Sequence, residues 1–375
     1  MKVMITGADG FLGKNLQLRL AECKDVEIVC FTRKQSVDQL TYLLQGVDFV
    51  FHLAGINRPE DPRDFITGNV DLTQALCKVV GAIVIASGKR VPLVYTSSIQ
   101  AGIENPYGLS KRVAESALFE LRSEHGVPVH VFRLPNVFGK WCKPNYNSAV
   151  ATFCYNIIRD LPIQINDPDA PVTLVYVDDV IERFVQLMNG ADAAVRADGF
   201  AGVTPQYTTT VGELARQIQT FKDSRVSLTT ERVGTGLVRA LYATYVSYMP
   251  PESFAYSVPQ YRDSRGVFAE MLKTPDCGQF SYFTAHPGVT RGGHYHHSKT
   301  EKFLVVKGQA RFKFRHMQTG EIHELLTSGD KAEVVETIPG WTHDITNIGS
   351  DEMIVMLWAN EVFDREKPDT FGCEV

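Results

Sequence analysis

The sequence lacks the features that mark several classes of protein. Its 375 residues carry a net charge of −5, so charge gives no reason to expect a nucleic acid or an anionic membrane as partner. A long local apolar run, residues 79–86, falls far short of the roughly eighteen residues that a membrane-spanning helix needs. A glycine-rich turn begins within the first seven residues and leaves no room for a signal peptide.

Cysteine pairs are also missing, whereas histidine is unevenly distributed. The seven cysteines are scattered and form no CxxC pair, so we expect free thiols in a reducing cytoplasm. Seven of the ten histidines fall in the last ninety residues. They are His286, His294, His296, His297, His316, His323 and His343. This asymmetry points to a second, chemically distinct unit near the C-terminus.

Through the first 245 residues, apolar runs typical of buried strands alternate with segments of helical spacing. The runs are residues 2–6, 26–31, 47–53, 91–96, 127–133 and 172–177. Strand alternating with helix predicts a doubly wound parallel sheet of the Rossmann type.

The pattern changes after about residue 245. Residues 249–253, MPPES, have the composition of a linker, and short alternating runs separated by turn residues follow them. The runs are residues 302–306, 310–315, 323–326, 332–336 and 353–358. This spacing predicts an all-β sandwich or barrel. We therefore expect two domains, residues 1–248 and 249–375.

A glycine motif follows the first predicted strand. Gly7, Gly10 and Gly13 lie between that strand and a helix, as in dinucleotide sites. Gly7 would allow the tight turn, Gly10 the approach of a pyrophosphate and Gly13 close helix–strand packing. The helix N-terminus would donate N–H groups to the phosphates. The other residues of this turn that we assign to the cofactor site are Asp9, Phe11 and Leu12.

The end of the second predicted strand indicates which cofactor binds. NAD sites place an acidic residue there for the ribose hydroxyls, whereas this chain has Thr32, Arg33 and Lys34. A 2′-phosphate facing Arg33 would favour NADPH. The alternative is that Arg33 is a solvated surface charge.

Tyr107 and Lys111 form a YxxxK pair, and side chains four residues apart share one face of a helix. An ammonium near the phenol favours the phenolate and lowers the pKa of the tyrosine, which would make Tyr107 a usable proton donor or acceptor. Ser98 follows a predicted buried strand about ten residues earlier, and its hydroxyl would hold the reacting oxygen. The alternative is an inert surface pair.

Several stretches of this half resemble the extended short-chain dehydrogenase/reductases that act on nucleotide sugars. They are residues 6–13, 48–55, 69–70, 95–98, 107–111, 133–139 and 176–180. The resemblance implies that Ser98, Tyr107 and Lys111 form the catalytic triad. It implies further cofactor contacts from Leu53, Ala54, Gly55, Tyr107, Lys111 and Pro135, with Pro135 and Asn136 near the nicotinamide.

Two segments stand apart from the shared stretches. Residues 35–47 are fewer than the family uses on the adenine side of the site. Residues 139–148, GKWCKPNYNS, combine groups able to bind a sugar and a diphosphate, and they follow a strand end where open α/β sheets bind ligands. The alternative for the second segment is an ordinary polar loop.

The histidine-rich half carries two spaced motifs. The first contains His294, His296 and Glu301, and the second, at residues 339–347, contains His343. His294 and His296 would point to the same side of a strand. Three neutral imidazoles and one carboxylate suit a divalent first-row metal such as zinc.

These motifs resemble both cupin motifs, although Pro339 abuts Gly340 where cupins have one residue between. The resemblance implies a jelly-roll barrel, and cupins exist with and without a metal. Residues 263–270 and 291–294 also resemble epimerases of nucleotide-linked 4-keto-6-deoxy sugars, in which the histidine after an arginine–glycine turn is the base and no metal is required. That role for His294 conflicts with zinc ligation, and the sequence leaves both open.

Three stretches, residues 138–148 (FGKWCKPNYNS), 293–297 (GHYHH) and 301–306 (EKFLVV), and the order of the two halves are similar to another family. The chain resembles the bifunctional CapF-type enzymes of capsule and O-antigen synthesis over essentially its full length. The resemblance implies a UDP-linked 2-acetamido-2,6-dideoxy-hexos-4-ulose as substrate. The cupin would epimerise C3, and the reductase would then reduce C4 with NADPH to UDP-N-acetyl-6-deoxy-L-talosamine, on the way to UDP-N-acetyl-L-fucosamine. Zinc in the cupin and a homodimer are also implied.

Two other interpretations stay open. One is a monofunctional nucleotide-sugar 4-ketoreductase whose cupin serves only dimerisation. The other is a sugar-binding or sensing protein with a degenerate reductase fold, against which the intact Ser98, Tyr107 and Lys111 argue.

Overall fold

The structure is a computed structural model of the chain. It describes residues 1–192, 198–254, 256–297, 299–317, 319–337, 339, 341–366 and 368–375, without the side chain of Glu252. Gly340 of the second histidine motif lies outside the described residues. The chain forms two compact units, Met1–Ile218 with Ala240–Met249 and Gln219–Arg239 with Pro250–Val375. Residues 219–239 thus cluster with the second unit, and the domain boundary at residue 248 stays a prediction.

Strands and helices alternate through the first part of the chain. The strands are β1 (Lys2–Thr6), β2 (Glu27–Phe31), β3 (Phe49–His52), β4 (Leu93–Ser98), β5 (Val129–Leu134), β6 (Asn136–Phe138), β7 (Pro171–Tyr176) and β8 (Tyr207–Thr210). The helices are α1 (Phe11–Ala21), α2 (Leu40–Leu43), α3 (Leu72–Ser87), α4 (Pro106–His125), α5 (Ala149–Ile158), α6 (Val177–Met188), α7 (Val211–Ser227) and α8 (Gly236–Val246).

The first unit is built on a parallel sheet in the order β2–β1–β3–β4–β5. Residues of β3 are buried throughout, as expected for a parallel strand covered on both faces. A smaller sheet pairs β6 with β7 in parallel and β7 with β8 antiparallel. Because parallel strands end at the same edge, the loops after β1, β3, β4 and β5 meet there.

Within the part of the chain that the structure describes, one helix is long and apolar enough to cross a membrane, which the apolar runs of the sequence did not predict. It is Ile66–Ser87, a π-helical turn continued by α3. Leu76 and Val80 of this helix pack in the core with Ala114 and Leu118 of α4. A core helix of a globular unit passes the same test, so this helix is weak evidence for a membrane.

The second unit is built from antiparallel strands. They are β9 (Gln260–Asp263), β10 (Gly266–Thr274), β11 (Gly278–Ala285), β12 (Thr290–Tyr295), β13 (Glu301–Lys307), β14 (Gln309–His316), β15 (Ile322–Ser328), β16 (Val334–Glu336), β17 (Trp341–Asn347), β18 (Met353–Ala359) and β19 (Phe371–Gly372). Two sheets form, in the orders β16–β13–β18–β11–β10–β9 and β15–β14–β17–β12–β19. Phe303 of one sheet meets Phe312 of the other edge to face at 5.7 Å in the core. The predicted class, α/β followed by all-β, is confirmed.

Asn347, the last residue of the second histidine motif, ties together three segments of the second unit. Its side chain is fully buried. Its Nδ2 donates to the carbonyls of Ala285 at 2.9 Å and Asp351 at 2.8 Å, and its Oδ1 accepts from the N–H of Gly349 at 2.9 Å. Buried carbonyls and N–H groups left without these partners carry a desolvation cost.

We expect Asn347→Ala to lower the free energy of unfolding by about 2–4 kcal/mol, because one buried and two partly buried hydrogen bonds are lost together. Asn360→Ala is the matched control. It removes an exposed bond from the N–H of Thr300, for which we expect about 1 kcal/mol or less. Denaturant unfolding followed by tryptophan fluorescence measures both, and equal losses would contradict the role assigned to Asn347.

Candidate functional site

The glycine motif forms the turn between β1 and α1. Gly7 has a φ of +71°, and a Cβ there would lie 2.7 Å from the backbone of Ala54. A Cβ at Gly13 would lie 2.3 Å from the carbonyl oxygen of Gly7. Gly10 is the N-cap of α1, so no side chain covers the first N–H groups of the helix, which are free of intrahelical partners. The turn therefore has the form of a phosphate site.

The other residues assigned to the cofactor lie along the same edge of the sheet. Leu53 and Ala54 follow β3, and their N–H groups donate to the carbonyl and hydroxyl oxygens of Thr6, both at 3.2 Å. Pro135 is buried between β5 and β6, and Arg33 is exposed after β2. The remaining three lie in the glycine turn and the first turn of α1: Asp9, Phe11 and Leu12.

A buried hydrogen-bond chain beneath this edge was not predicted from the sequence. His52 lies between Thr6, whose Oγ1 is 2.6 Å from Nδ1, and Thr73, whose Oγ1 is 2.8 Å from Nε2. Thr73 donates to the carbonyl of Asn69 at 2.6 Å, so it accepts from Nε2, and Nδ1 accepts from Thr6. Burial lowers the pKa of His52 to about 3, which keeps the ring neutral.

Ser98, Tyr107 and Lys111 come from β4 and α4. Ser98 ends β4, and Tyr107 lies in the first turn of α4 beside its buried Lys111. The Lys111 ammonium donates to the carbonyl of Thr96 at 3.0 Å and lies 4.9 Å from the ring centroid of Tyr95. The structure therefore brings these predicted side chains to one edge.

The predicted direction of the Tyr107 pKa is wrong for this structure. Burial raises the pKa of Tyr107, and the hydrogen bond with Ser98 offsets this only in part. The Lys111 ammonium lies 6.0 Å from the phenol ring centroid and is directed to the carbonyl of Thr96 instead. At neutral pH the phenol therefore keeps its proton, which is the form a proton donor needs.

Glu115, which the motif search missed, completes the surroundings of Lys111 one helical turn further along α4. Burial lowers the pKa of Lys111 to about 8, and the charge of Glu115 opposes that shift. Glu115 is itself buried and accepts two bonds from Arg133, at 2.9 and 2.7 Å, and one from the hydroxyl of Ser97. Glu115 lies four residues after Lys111 and eight after Tyr107, and this spacing, which places all three on one face of a helix, could have identified it from the sequence.

Asn69 links the loop after β3 to α4. Its Oδ1 accepts from the N–H of Ile56 at 2.8 Å, and its Nδ2 donates to the hydroxyl of Ser110 at 2.9 Å. A Cβ added to Gly55 would lie 2.9 Å from Nζ of Lys111. A glycine at this position thus lets the cofactor loop and Lys111 approach each other.

The loop at residues 139–148 follows β6 and has an unusual backbone. Trp141 and Asn145 adopt positive φ, and the Trp141 side chain is half exposed. The Arg58 guanidinium donates to the carbonyl of Tyr146. The loop therefore lies against the segment after β3, at the edge where the cofactor residues gather.

The second unit brings the four predicted metal-ligating side chains together. Ligand atoms of His294, His296, Glu301 and His343 all lie within 4.8 Å of one another. Glu301 Oε2 is 3.2 Å from Nε2 of His296 and 3.4 Å from Nε2 of His343. The sequence predicted His296 within the same strand as His294, but β12 ends at Tyr295, and His296 is the first residue after it.

The electrostatics of this cluster fit a bound cation. Burial alone would raise the pKa of Glu301, but the close contacts with His296 and His343 and the charge of Lys299 hold it far below its ordinary value. Burial and the neighbouring His343 lower the pKa of His294 to about 4. Among the described residues, neither buried ring nitrogen of His343 has a hydrogen-bond partner. Neutral imidazoles around a carboxylate are the ligands that zinc prefers.

Several aromatic residues lie beside this cluster. His297 is exposed, and its ring meets that of Tyr295 at 5.5 Å. Tyr295 stacks on Phe371 at 5.4 Å. Alternation along β11 places Tyr282 on the sheet face opposite Phe283, which packs into the core. The rings of Tyr295, His297 and Phe371 therefore contact one another beside the cluster.

Comparison with known proteins matches both units. Residues 3–200 match the model of the NAD dependent epimerase/dehydratase family, which is more than half of the chain. The chain belongs to that family. Residues 261–371 match the model described as polysaccharide biosynthesis C-terminal domain. Members of the first family bind a nicotinamide dinucleotide, as its description states, and the glycine turn is built for one.

Full-length relatives carry the same pair of units. A UDP-2-acetamido-2,6-beta-L-arabino-hexul-4-ose reductase of Pseudomonas aeruginosa is 62% identical over 100% of this chain and 99% of its own. The structure of the capsular polysaccharide assembling protein CapF of Staphylococcus aureus covers 100% of both chains at 42% identity and a TM-score of 0.91. The predicted CapF-type resemblance is confirmed. A UDP-glucuronic acid 4-epimerase of Bacillus cereus, 18% identical with a TM-score of 0.56 over 66% of this chain, shares the fold.

Proposed function

We propose that the chain is a two-site enzyme acting on a UDP-linked 2-acetamido-2,6-dideoxy-hexos-4-ulose. The second unit, a cupin in this proposal, epimerises C3, and the first unit reduces the C4 ketone with NADPH to UDP-N-acetyl-6-deoxy-L-talosamine. The observation that carries the proposal is that each unit holds its own buried polar centre, one of the reductase type and one of the His/Glu type. The name of the Pseudomonas relative supports the sugar class.

The reductase step assigns one role to each residue of the first centre. NADPH, when bound, supplies the hydride for C4. Tyr107, which burial keeps protonated, gives its proton to the C4 oxygen as that oxygen becomes negative. The Ser98 hydroxyl holds the same oxygen, and the Lys111 ammonium stabilises the phenolate left behind. The loop at residues 139–148 supplies polar groups for the sugar diphosphate.

The epimerase step uses the acidity that the C4 ketone gives to the C3 hydrogen. A base removes that proton, an enolate forms, and a proton returns on the opposite face. A cation held by His294, His296, Glu301 and His343 would act as a Lewis acid for the enolate oxygen. His294 is the member of the four that is not fully buried, so it is also the candidate for the base. One nitrogen lone pair cannot fill both roles at once.

The reductase site should prefer NADPH because Arg33 is exposed after β2 and no acidic residue replaces it. We expect Arg33→Ala to raise the KM for NADPH about tenfold or more, as the loss of a charge-assisted hydrogen bond predicts. The KM for NADH should change little. Lys24→Ala is the control, since that exposed lysine lies at the other end of β2. Equal effects on both cofactors would contradict the assignment.

The pH dependence of the reductase should report Lys111. Because its pKa is about 8, kcat/KM should fall as the pH rises through about 8, where the ammonium is lost. Glu115→Gln removes a charge that raises this pKa, so the alkaline midpoint should move to lower pH. Glu120→Gln, on the exposed side of α4, should leave the midpoint in place. A midpoint unmoved by Glu115→Gln in a folded variant would refute the coupling.

Deuterium exchange at C3 separates the two centres and tests the monofunctional alternative. In deuterated water with the 4-keto sugar and no NADPH, the wild type should exchange the C3 hydrogen. Glu301→Gln and prior treatment with a chelator should abolish that exchange. Tyr107→Phe should keep the exchange and lose NADPH oxidation, because only the acid of the reductase is removed.

Two outcomes would overturn the assignments. Exchange retained in both Glu301→Gln and His294→Ala would leave the second unit with no epimerase role, as a cupin that serves only dimerisation requires. Full NADPH turnover by Tyr107→Phe would refute the proton donor. His294→Gln distinguishes the two roles of His294. If His294 is the base, this variant keeps bound zinc and loses exchange. If His294 is a zinc ligand, the variant loses both zinc and exchange. A homodimer is proposed on the CapF-type resemblance alone.

A further inference from the structure

A segment near the C-terminus, residues 369–373, runs beside the His/Glu cluster of the second unit. Its strand β19 pairs antiparallel with β12 at His294 and Tyr295. The ring of Phe371 stacks on Tyr295 at 5.4 Å on the outer face. The segment therefore forms the edge of the sheet that carries His294 on β12 and His343 on β17.

Asp369 contacts the turn that follows β12 in three places. Its carboxylate accepts from the N–H of His297 at 2.9 Å and from the N–H of Lys299 at 2.8 Å. Its backbone carbonyl meets Nδ1 of His296. A ring that donates Nδ1–H to this carbonyl keeps the lone pair on Nε2, which is the nitrogen directed at Glu301.

Lys299 extends this arrangement to the carboxylate of the cluster. Its side chain is buried, and Nζ lies 3.0 Å from Oε1 of Glu301. The other oxygen, Oε2, is the one that faces His296 and His343. Holding the backbone of Lys299 in place therefore also sets which oxygen of Glu301 faces the imidazoles.

We propose that Asp369 is a positioning residue of the cation site. It holds the turn after β12 so that Nε2 of His296 and Oε2 of Glu301 face one point, although its own carboxylate is bound to backbone N–H groups. The proposal rests on the cation site of the proposed function. The proposal adds that the affinity for a cation depends on Asp369, which lies more than seventy positions after His296 in the sequence.

The test measures zinc affinity of the full chain by competition with a chromophoric chelator. Asp369→Ala should weaken Zn²⁺ binding about 10–100-fold, the usual effect of losing an outer partner of a ligand. Asp369→Asn keeps an acceptor oxygen and should fall between Asp369→Ala and the wild type. Asp364→Ala is the matched control, since its carboxylate accepts from the N–H of Glu366 at 2.8 Å on an exposed turn. It should bind zinc as the wild type does.

A merely structural role for Asp369 predicts a different pattern. The thermal unfolding temperature of the metal-free Asp369→Ala protein would fall, while its folded fraction would bind zinc with wild-type affinity, and this result overturns the proposal. Cobalt substitution gives a second readout, because the visible ligand-field spectrum should change in Asp369→Asn as well as in Asp369→Ala. If the wild type itself binds no zinc, the cation site of the proposed function fails together with this inference. Wild-type binding with unchanged variants refutes Asp369 alone.

Discussion

A buried charge is tolerated only where partners replace the water it loses, and both candidate sites depend on this constraint. In the first unit the ammonium of Lys111 is held by the carbonyl of Thr96 and the charge of Glu115. In the second unit the carboxylate of Glu301 is held by imidazoles and by Lys299. Removing one member of either set leaves the others buried without compensation. Each buried charge therefore depends on all of its partners being present.

The same constraint links the glycine turn to α4 in the first unit. Thr6 ends β1, and its hydroxyl is shared between the loop after β3 and the ring of His52. From His52 the chain of bonds passes through Thr73 and Asn69 to Ser110 on α4. Once the tautomer of the neutral His52 ring is set, the hydroxyl of Thr6 donates to His52 and the hydroxyl of Thr73 donates to the carbonyl of Asn69. The position of α4 relative to the glycine turn is therefore set by buried hydrogen bonds as well as by apolar packing.

Local sequence patterns predicted many of the strands and helices. They could not predict contacts between residues that are far apart in the sequence. The run at residues 2–6 is β1, and the YxxxK spacing placed Tyr107 and Lys111 on one helix, because strand runs and helix faces are properties of a few consecutive residues. The bond between Glu115 and Arg133 joins α4 to β5, and Asp369 reaches the turn after β12 from the far end of the unit. Such pairs depend on strand order and chain path.

The wrong direction for the Tyr107 pKa has the same origin and shows how one force shapes both sites. Sequence spacing placed an ammonium near the phenol but contained no measure of burial, which disfavours the charged form of any group. In the first unit that force keeps the phenol of Tyr107 protonated. In the second it keeps the imidazole of His294 neutral, with a lone pair for a proton or a cation. Desolvation thus has opposite effects on the two groups, because it keeps a proton on the phenol of the first unit and keeps one off the imidazole of the second.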